Sequence, residues 1–182
     1  TVHISGAGSC TITASQVGNS NYTAATEVPH TFTISKANQT ITVGTHAPAN
    51  AAYNTSFTVA ATSSSGLAIA YSSAGSCSNV GPLFTMTSGS GTCTVKYDQA
   101  GDDNFNAATQ VTEAVSPSKI GQTITFAALA NKTVGDADFA VSASASSGLP
   151  VSFAASGQCT VSGSTVHISG AGSCTITASQ VG

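Results

Sequence analysis

Residues 1–18, TVHISGAGSCTITASQVG, recur unchanged at 165–182, a displacement of 164 residues. Self-similarity at a fixed period marks a repeat architecture, and it constrains this chain more than any single motif. A weaker repeat lies inside that period. Gln39-Thr40-Ile41-Thr42 matches Gln122-Thr123-Ile124-Thr125, and Ser64-Ser65-Gly66-Leu67 matches Ser146-Ser147-Gly148-Leu149. Cys77 and Cys93 align with Cys159 and Cys174, and Gln16–Thr26 aligns with Gln99–Thr109, at offsets of 81 to 83 residues. The alignment predicts one complete unit at 38–120, preceded by the C-terminal part of a unit (1–37) and followed by the N-terminal part of another (121–182). Such a chain is expected to be an excerpt of a longer array, or else a subunit whose part-domains are completed by neighbours.

The unit reads as short strands. Thr123–Phe126, Phe139–Ala143, Leu149–Phe153, Val166–Ile168, Cys174–Ala178 and, in the preceding copy, Thr31–Ile34 alternate apolar and polar residues, with Gly, Ser, Asn or Asp between runs. Period-two runs bounded by turn residues predict antiparallel strands with one buried face. With Cys159–Val161 added, each unit holds about seven strands, which predicts an all-β chain of tandem immunoglobulin-like antiparallel β-sandwiches. Nothing in the sequence has helical periodicity. Linkers are short: Ile34-Ser35-Lys36-Ala37-Asn38 leads straight into Gln39, and Ser118-Lys119-Ile120-Gly121 into Gln122. Such linkers allow little swivel, so the array is expected to be a semi-rigid rod, each unit adding about 35–40 Å at roughly 3.3 Å per strand residue.

Composition narrows the function classes. Only 6% of residues are charged, with four Lys plus Arg against seven Asp plus Glu. Nucleic-acid binding needs clustered Lys or Arg to displace counterions, and a polybasic membrane patch needs the same residues, so neither partner is expected. No apolar run approaches a membrane span, and the first residues carry no export signal. Ser, Thr, Asn and Gln take over the solvent face that charges cover elsewhere.

The repeat also organises the five cysteines. It pairs Cys77 with Cys93 and Cys159 with Cys174, one disulfide per domain, and leaves Cys10 unpaired as the second member of a partial unit. These spacings, without Cys-x-x-Cys or a neighbouring His cluster, favour disulfides over zinc and so an oxidising, extracellular or cell-surface location. Closing a loop of this length stabilises by on the order of 3 kcal/mol in the chain-entropy model. The absence of Trp and the short loop predict a staple between strands flanking a hairpin, unlike the core disulfide of antibody domains.

The stretch Tyr97-Asp98-Gln99-Ala100-Gly101-Asp102-Asp103-Asn104-Phe105-Asn106-Ala107-Ala108 resembles the Y-x-G-D-x-N-[YF] segment of bacterial Ig-like (group 3-like Big) repeats, which occur in tandem in large surface and adhesin proteins. The Gln-Thr-Ile-Thr opening and Gly148-Leu149-Pro150-Val151-Ser152-Phe153 look like the same group. The resemblance covers every unit and implies an extracellular stalk, spacer or adhesin module, a scaffold rather than an activity. The partial unit at 1–37 departs from it, with Gly18-Asn19-Ser20-Asn21 in place of Gly101-Asp102-Asp103-Asn104.

Few residues invite chemistry. Asp98, Asp102, Asp103 and Asn104 form the densest oxygen cluster, which reads either as a calcium site or as an Asx turn capping its own backbone, and the Asn/Ser version at 18–21 favours the turn. Tyr22 and Phe105, at matched positions, are expected as core anchors. His3 and His167 occupy one repeated strand position, expected to face solvent, while His30 and His46 stand alone. Gly6-Ala7-Gly8 and Gly170-Ala171-Gly172 read as hairpin turns rather than phosphate loops. Ser is abundant, but no Gly-x-Ser-x-Gly elbow singles one out. The expectation is a structural module without cofactor or catalysis, partnered by neighbouring identical repeats in the same chain or by head-to-tail self-assembly. The alternatives are an adhesin module gripping a glycan or protein, and an accessory domain of a secreted enzyme.

Overall fold

The computed structural model describes all 182 residues and is all-β. Eighteen strands follow in chain order: β1 (Gly8–Ala14), β2 (Val28–Ile34), β3 (Ile41–Thr45), β4 (Asn50–Ala52), β5 (Ser56–Thr58), β6 (Ala60–Ser63), β7 (Ala70–Gly75), β8 (Cys77–Val80), β9 (Leu83–Met86), β10 (Cys93–Asp98), β11 (Val111–Ser118), β12 (Ile124–Phe126), β13 (Phe139–Ala140), β14 (Ala143–Ala145), β15 (Ser152–Gly157), β16 (Cys159–Ser162), β17 (Thr165–Ile168) and β18 (Cys174–Ser179). No helix is long and apolar enough to cross a membrane. The chain forms two compact units, Thr1–Ile120 and Gly121–Gly182, so the expected boundary after residue 37 lies inside the first.

In the first unit, β4-β11-β10-β7 form one sheet, β5-β9-β8 a second and β3-β6 a two-stranded ladder. Their alternating residues turn one face inward: Val59, Phe84, Met86, Val95, Tyr97 and Val115 are fully buried together. Phe57 stacks on Phe84 with ring centroids 5.7 Å apart, and Tyr71 meets Tyr97 edge-on at the same distance. Burying each such side chain stabilises by about 1.5–3 kcal/mol. Strand β11 is central to this arrangement. It pairs antiparallel with β10, Cys93 opposite Val115 and Tyr97 opposite Val111, and parallel with β4, Ser116 opposite Asn50.

The hairpin β1–β2 repeats the β10–β11 register one unit earlier: Cys10 lies opposite Phe32 and Ala14 opposite Val28. None of its residues joins a buried core, and Ile12, Val28 and Phe32 are exposed. This unit holds the disulfide Cys77–Cys93, with Cα atoms 5.2 Å apart, and the free thiol of Cys10. The staple encloses a single hairpin, as expected, but it is a core disulfide, which was not. Cys77 on β8 and Cys93 on β10 belong to different sheets and to the buried core, so the bond ties the sheets together around the β8–β9 hairpin.

The second unit holds β12-β14, β13-β17-β16 and β15-β18 around Val141, Cys159 and Val166, with the disulfide Cys159–Cys174. The expected strand Leu149–Phe153 begins only at Ser152, because Pro150 offers no ladder N–H. The run Phe139–Ala143 divides into β13 and the start of β14, which join different sheets. Gly170-Ala171-Gly172, expected as a hairpin turn, instead connects β17 and β18, which also lie in different sheets.

Candidate functional site: the linker clamp

The loop between β10 and β11 carries the Asp/Asn cluster, and it is shaped by its own side chains. Asp102 Oδ1 accepts hydrogen bonds from the amides of Asn104 (2.8 Å) and Phe105 (2.9 Å), and the Asp102 amide donates back to Phe105 O. This is an Asx turn, in which a carboxylate stands in for a backbone acceptor. Gly101 precedes it at φ 78°, and a Cβ there would lie 2.3 Å from Phe105 O, so only glycine fits. The loop at 16–25 is built identically. Asn19 Oδ1 accepts from the amides of Asn21 (2.9 Å) and Tyr22 (3.0 Å), and Gly18 has φ 74°. An amide oxygen serves as well as a carboxylate, which is why the departure at 18–21 leaves the turn intact.

The cluster considered for calcium has other occupations. Asp98 Oδ1 accepts from Gln110 Nε2, Asp102 Oδ1 holds the turn, and Asn104 Oδ1 accepts from the Ala7 amide at 2.9 Å. No grouping of three or more His, Cys, Asp or Glu side chains is placed to hold a metal ion.

The structure brings this loop onto the linker that follows β2. Ala37 N donates to Asn104 O and Asn106 N donates to Ala37 O, both at 2.8 Å, forming a parallel bridge between Ala37 and Phe105. Lys36 Nζ donates to Asp102 O at 2.6 Å, and Asn106 Nδ2 to Asn38 Oδ1 at 2.9 Å. Beneath them, buried Gln39 and Gln99 make a polar hub: Gln39 Nε2 donates to Gln99 Oε1 and to Asn106 O, and Gln39 Oε1 accepts from Ser65 Oγ. Gln99 Oε1 also receives the Gly101 amide. The second unit repeats the hub with Gln122, Gln180 and Ser147.

The expected core role of Tyr22 and Phe105 needs correction. Tyr22 is 76% exposed and Phe105 only half-buried, and neither belongs to a core cluster. Phe105 contributes its backbone to the bridge. Tyr22 sits at the same point of the 16–25 loop.

The histidines divide. His3 is exposed; His167 Nδ1 pairs with Asp138 Oδ1 at 2.7 Å, and both are exposed. His46 does not stand alone: its Nδ1 donates to Glu113 Oε1 at 2.5 Å. Glu113 Oε2 also accepts from Ala47 N and from Tyr97 Oη. Burial alone would push this carboxyl up, but the hydrogen bonds from Ala47, Tyr97 and His46, with the attraction of His46, outweigh it and hold Glu113 below the ordinary range. Burial, and then Glu113, push the Tyr97 phenol upward.

Comparison with protein-family models, with curated proteins and with solved structures found no match.

Proposed function

We propose that this chain is a structural repeat module of an extracellular stalk or fibre, a run of tandem immunoglobulin-like sandwiches akin to the bacterial Ig-like repeats whose Y-x-G-D-x-N-[YF] segment it resembles. The observation that carries the reading is the clamp. The loop at Asp98–Ala108 seizes the linker at Lys36–Gln39 through backbone pairing at Ala37, and so ties one unit's last strand to the next unit's own loop. A linker held this way transmits orientation, as a spacer requires, whereas a free Gly/Ser linker would not. The two disulfides fit an oxidising, extracellular setting. Neighbouring copies of the same repeat are the partners in this reading.

The test is the maximum dimension, by small-angle X-ray scattering, of polypeptides carrying one, two and three copies of the 164-residue period. A rod lengthens linearly, by about 35–40 Å per sandwich. Growth with the square root of copy number would mean flexible beads and would sink the spacer reading.

A further inference from the structure

The sequence carries four Asn-x-Ser/Thr triplets: Asn21-Tyr22-Thr23, Asn38-Gln39-Thr40, Asn54-Thr55-Ser56 and Asn131-Lys132-Thr133. Such a triplet is the acceptor signal for N-linked glycosylation, a modification of exported chains, and the two disulfides fit the same route. Triplets are common in a chain rich in Asn, Ser and Thr, so the signal alone selects no site. The fold does. Asn38 is committed to the clamp, where its Oδ1 accepts from Asn106 Nδ2, and its neighbour Gln39 is buried. Asn21 is the repeat counterpart of Asn104, whose Oδ1 receives the Ala7 amide. Residues 131–133 are the counterpart of 49–51, which in the complete unit run into β4 and pair with β11.

Asn54 has no such commitment. It lies between β4 and β5, exposed together with Thr55 and Ser56, as the third residue of a turn closed by the Thr55 amide on Ala52 O at 3.2 Å. Its φ of 62° makes it the one non-glycine residue in the left-handed region, which Asn tolerates better than most. The backbone is held on both sides, because Asn54 N donates to Met86 O and Met86 N donates to Thr55 O. The turn's other bonds run through the Thr55 hydroxyl to Ala52 O and between the Ser56 and Thr85 hydroxyls, which leaves the Asn54 carboxamide to solvent. We infer that Asn54 is an N-glycan acceptor. The co-reactant is a glycosyl donor activated through a diphosphate. Asn54 Nδ2 attacks the anomeric carbon, the new C–N bond forms as the bond from that carbon to the diphosphate oxygen breaks, and the amide proton leaves with the diphosphate. The second unit lacks the site: aligned on Phe57 and Phe139, Asp136 stands at Asn54 and Asp138 at Ser56. Those carboxylates are engaged instead with the Thr133 amide and with His167. One glycan therefore falls in each 164-residue period, on every second sandwich, about 70–80 Å apart along a straight rod. That spacing rests on the spacer reading, whereas the acceptor itself does not. The glycan adds hydrated surface beside Tyr53, 47% exposed, in a chain with only 6% charged residues.

The test secretes the full chain from a eukaryotic cell line and treats it with peptide N-glycosidase in heavy-oxygen water, which converts a glycosylated Asn into isotope-labelled Asp, read by peptide mass. The expected result is label on the majority of Asn54, lost in Ser56→Ala and kept in Ser56→Thr. Unlabelled Asn54 in the secreted, disulfide-bonded chain would overturn the assignment. So would label that survives Ser56→Ala, because spontaneous deamidation does not depend on the third residue of the triplet. Equal labelling of Asn38 and Asn54 would overturn the selection by the fold. Failure of the spacer reading would show separately, in the scattering of multi-copy polypeptides, with the glycan still on Asn54.

Discussion

Asn104 Oδ1 accepts a hydrogen bond from the backbone amide of Ala7 at 2.9 Å, across 97 residues of sequence. The turn before β1 thus meets the loop that also holds the linker at Ala37. Exposed hydrogen bonds of this kind contribute about 0.5–1.5 kcal/mol each, so their effect falls on orientation more than on stability. Replacing Asn104 with Ala should leave the melting temperature within about 3 °C of the wild type while accelerating amide exchange at Ala7 severalfold. Unchanged exchange at Ala7 would show that the contact does not persist in solution.

Gly101→Ala should do more. A Cβ there meets Phe105 O at 2.3 Å in a backbone region that L-residues avoid. The loop must rebuild, at a cost of about 1–3 kcal/mol. Chemical denaturation should report that loss, and the Ala37 and Asn106 amides should lose protection together because they share one bridge.

The two disulfides should differ in reducibility. Thiol exchange requires access to a sulfur. Cys77 and Cys93 are both buried in the first core, whereas Cys174 is exposed although Cys159 is buried. Alkylation and mass measurement during titration with a mild thiol should find Cys159–Cys174 open before Cys77–Cys93. The reverse order would mean that the β10–β11 sheet opens more readily than its burial implies.

Much of the fold was legible because the information is local. Period-two alternation placed β2, β12, β17 and β18, and the offset between copies paired Cys77 with Cys93 and Cys159 with Cys174 before any geometry. What the sequence did not reveal depends on distant neighbours. Tyr22 has the look of a core aromatic, yet burial depends on tertiary neighbours that its local sequence does not encode, and it is 76% exposed. The Asp98–Asn104 cluster carries one oxygen pattern for a cation site and for an Asx turn, and only the backbone amides on Asp102 distinguish them. Asn104 reaching Ala7 had a single trace in the sequence, the repeated Asn at 21 and 104.

Acid should weaken the first unit through Glu113. Its carboxyl is held below the ordinary range in the folded chain, so its stabilising contribution is complete above the unfolded value of about 4.3 and is lost as pH falls from there through the folded value. Tyr97 runs the opposite way: its raised phenol contributes fully below about pH 10 and the contribution fades as pH rises above that. Glu113→Gln should flatten the stability profile between about pH 5 and 3, where the carboxylate changes charge. A profile as steep as the wild type would assign the acid sensitivity elsewhere.

The glutamine hub offers the sharpest test of cooperation, because Gln39 and Gln99 are both buried and satisfy each other and the loop at once. Gln39→Leu removes the donor to Gln99 Oε1 and to Asn106 O and the acceptor for Ser65 Oγ. A buried polar group left without its partner costs about 1–3 kcal/mol, so each single leucine variant should lose that much. The double variant removes both side chains of the central bond, and its loss should fall short of the summed single losses by about 0.5 kcal/mol or more. Additive losses in denaturant melts would mean that the two amides act independently.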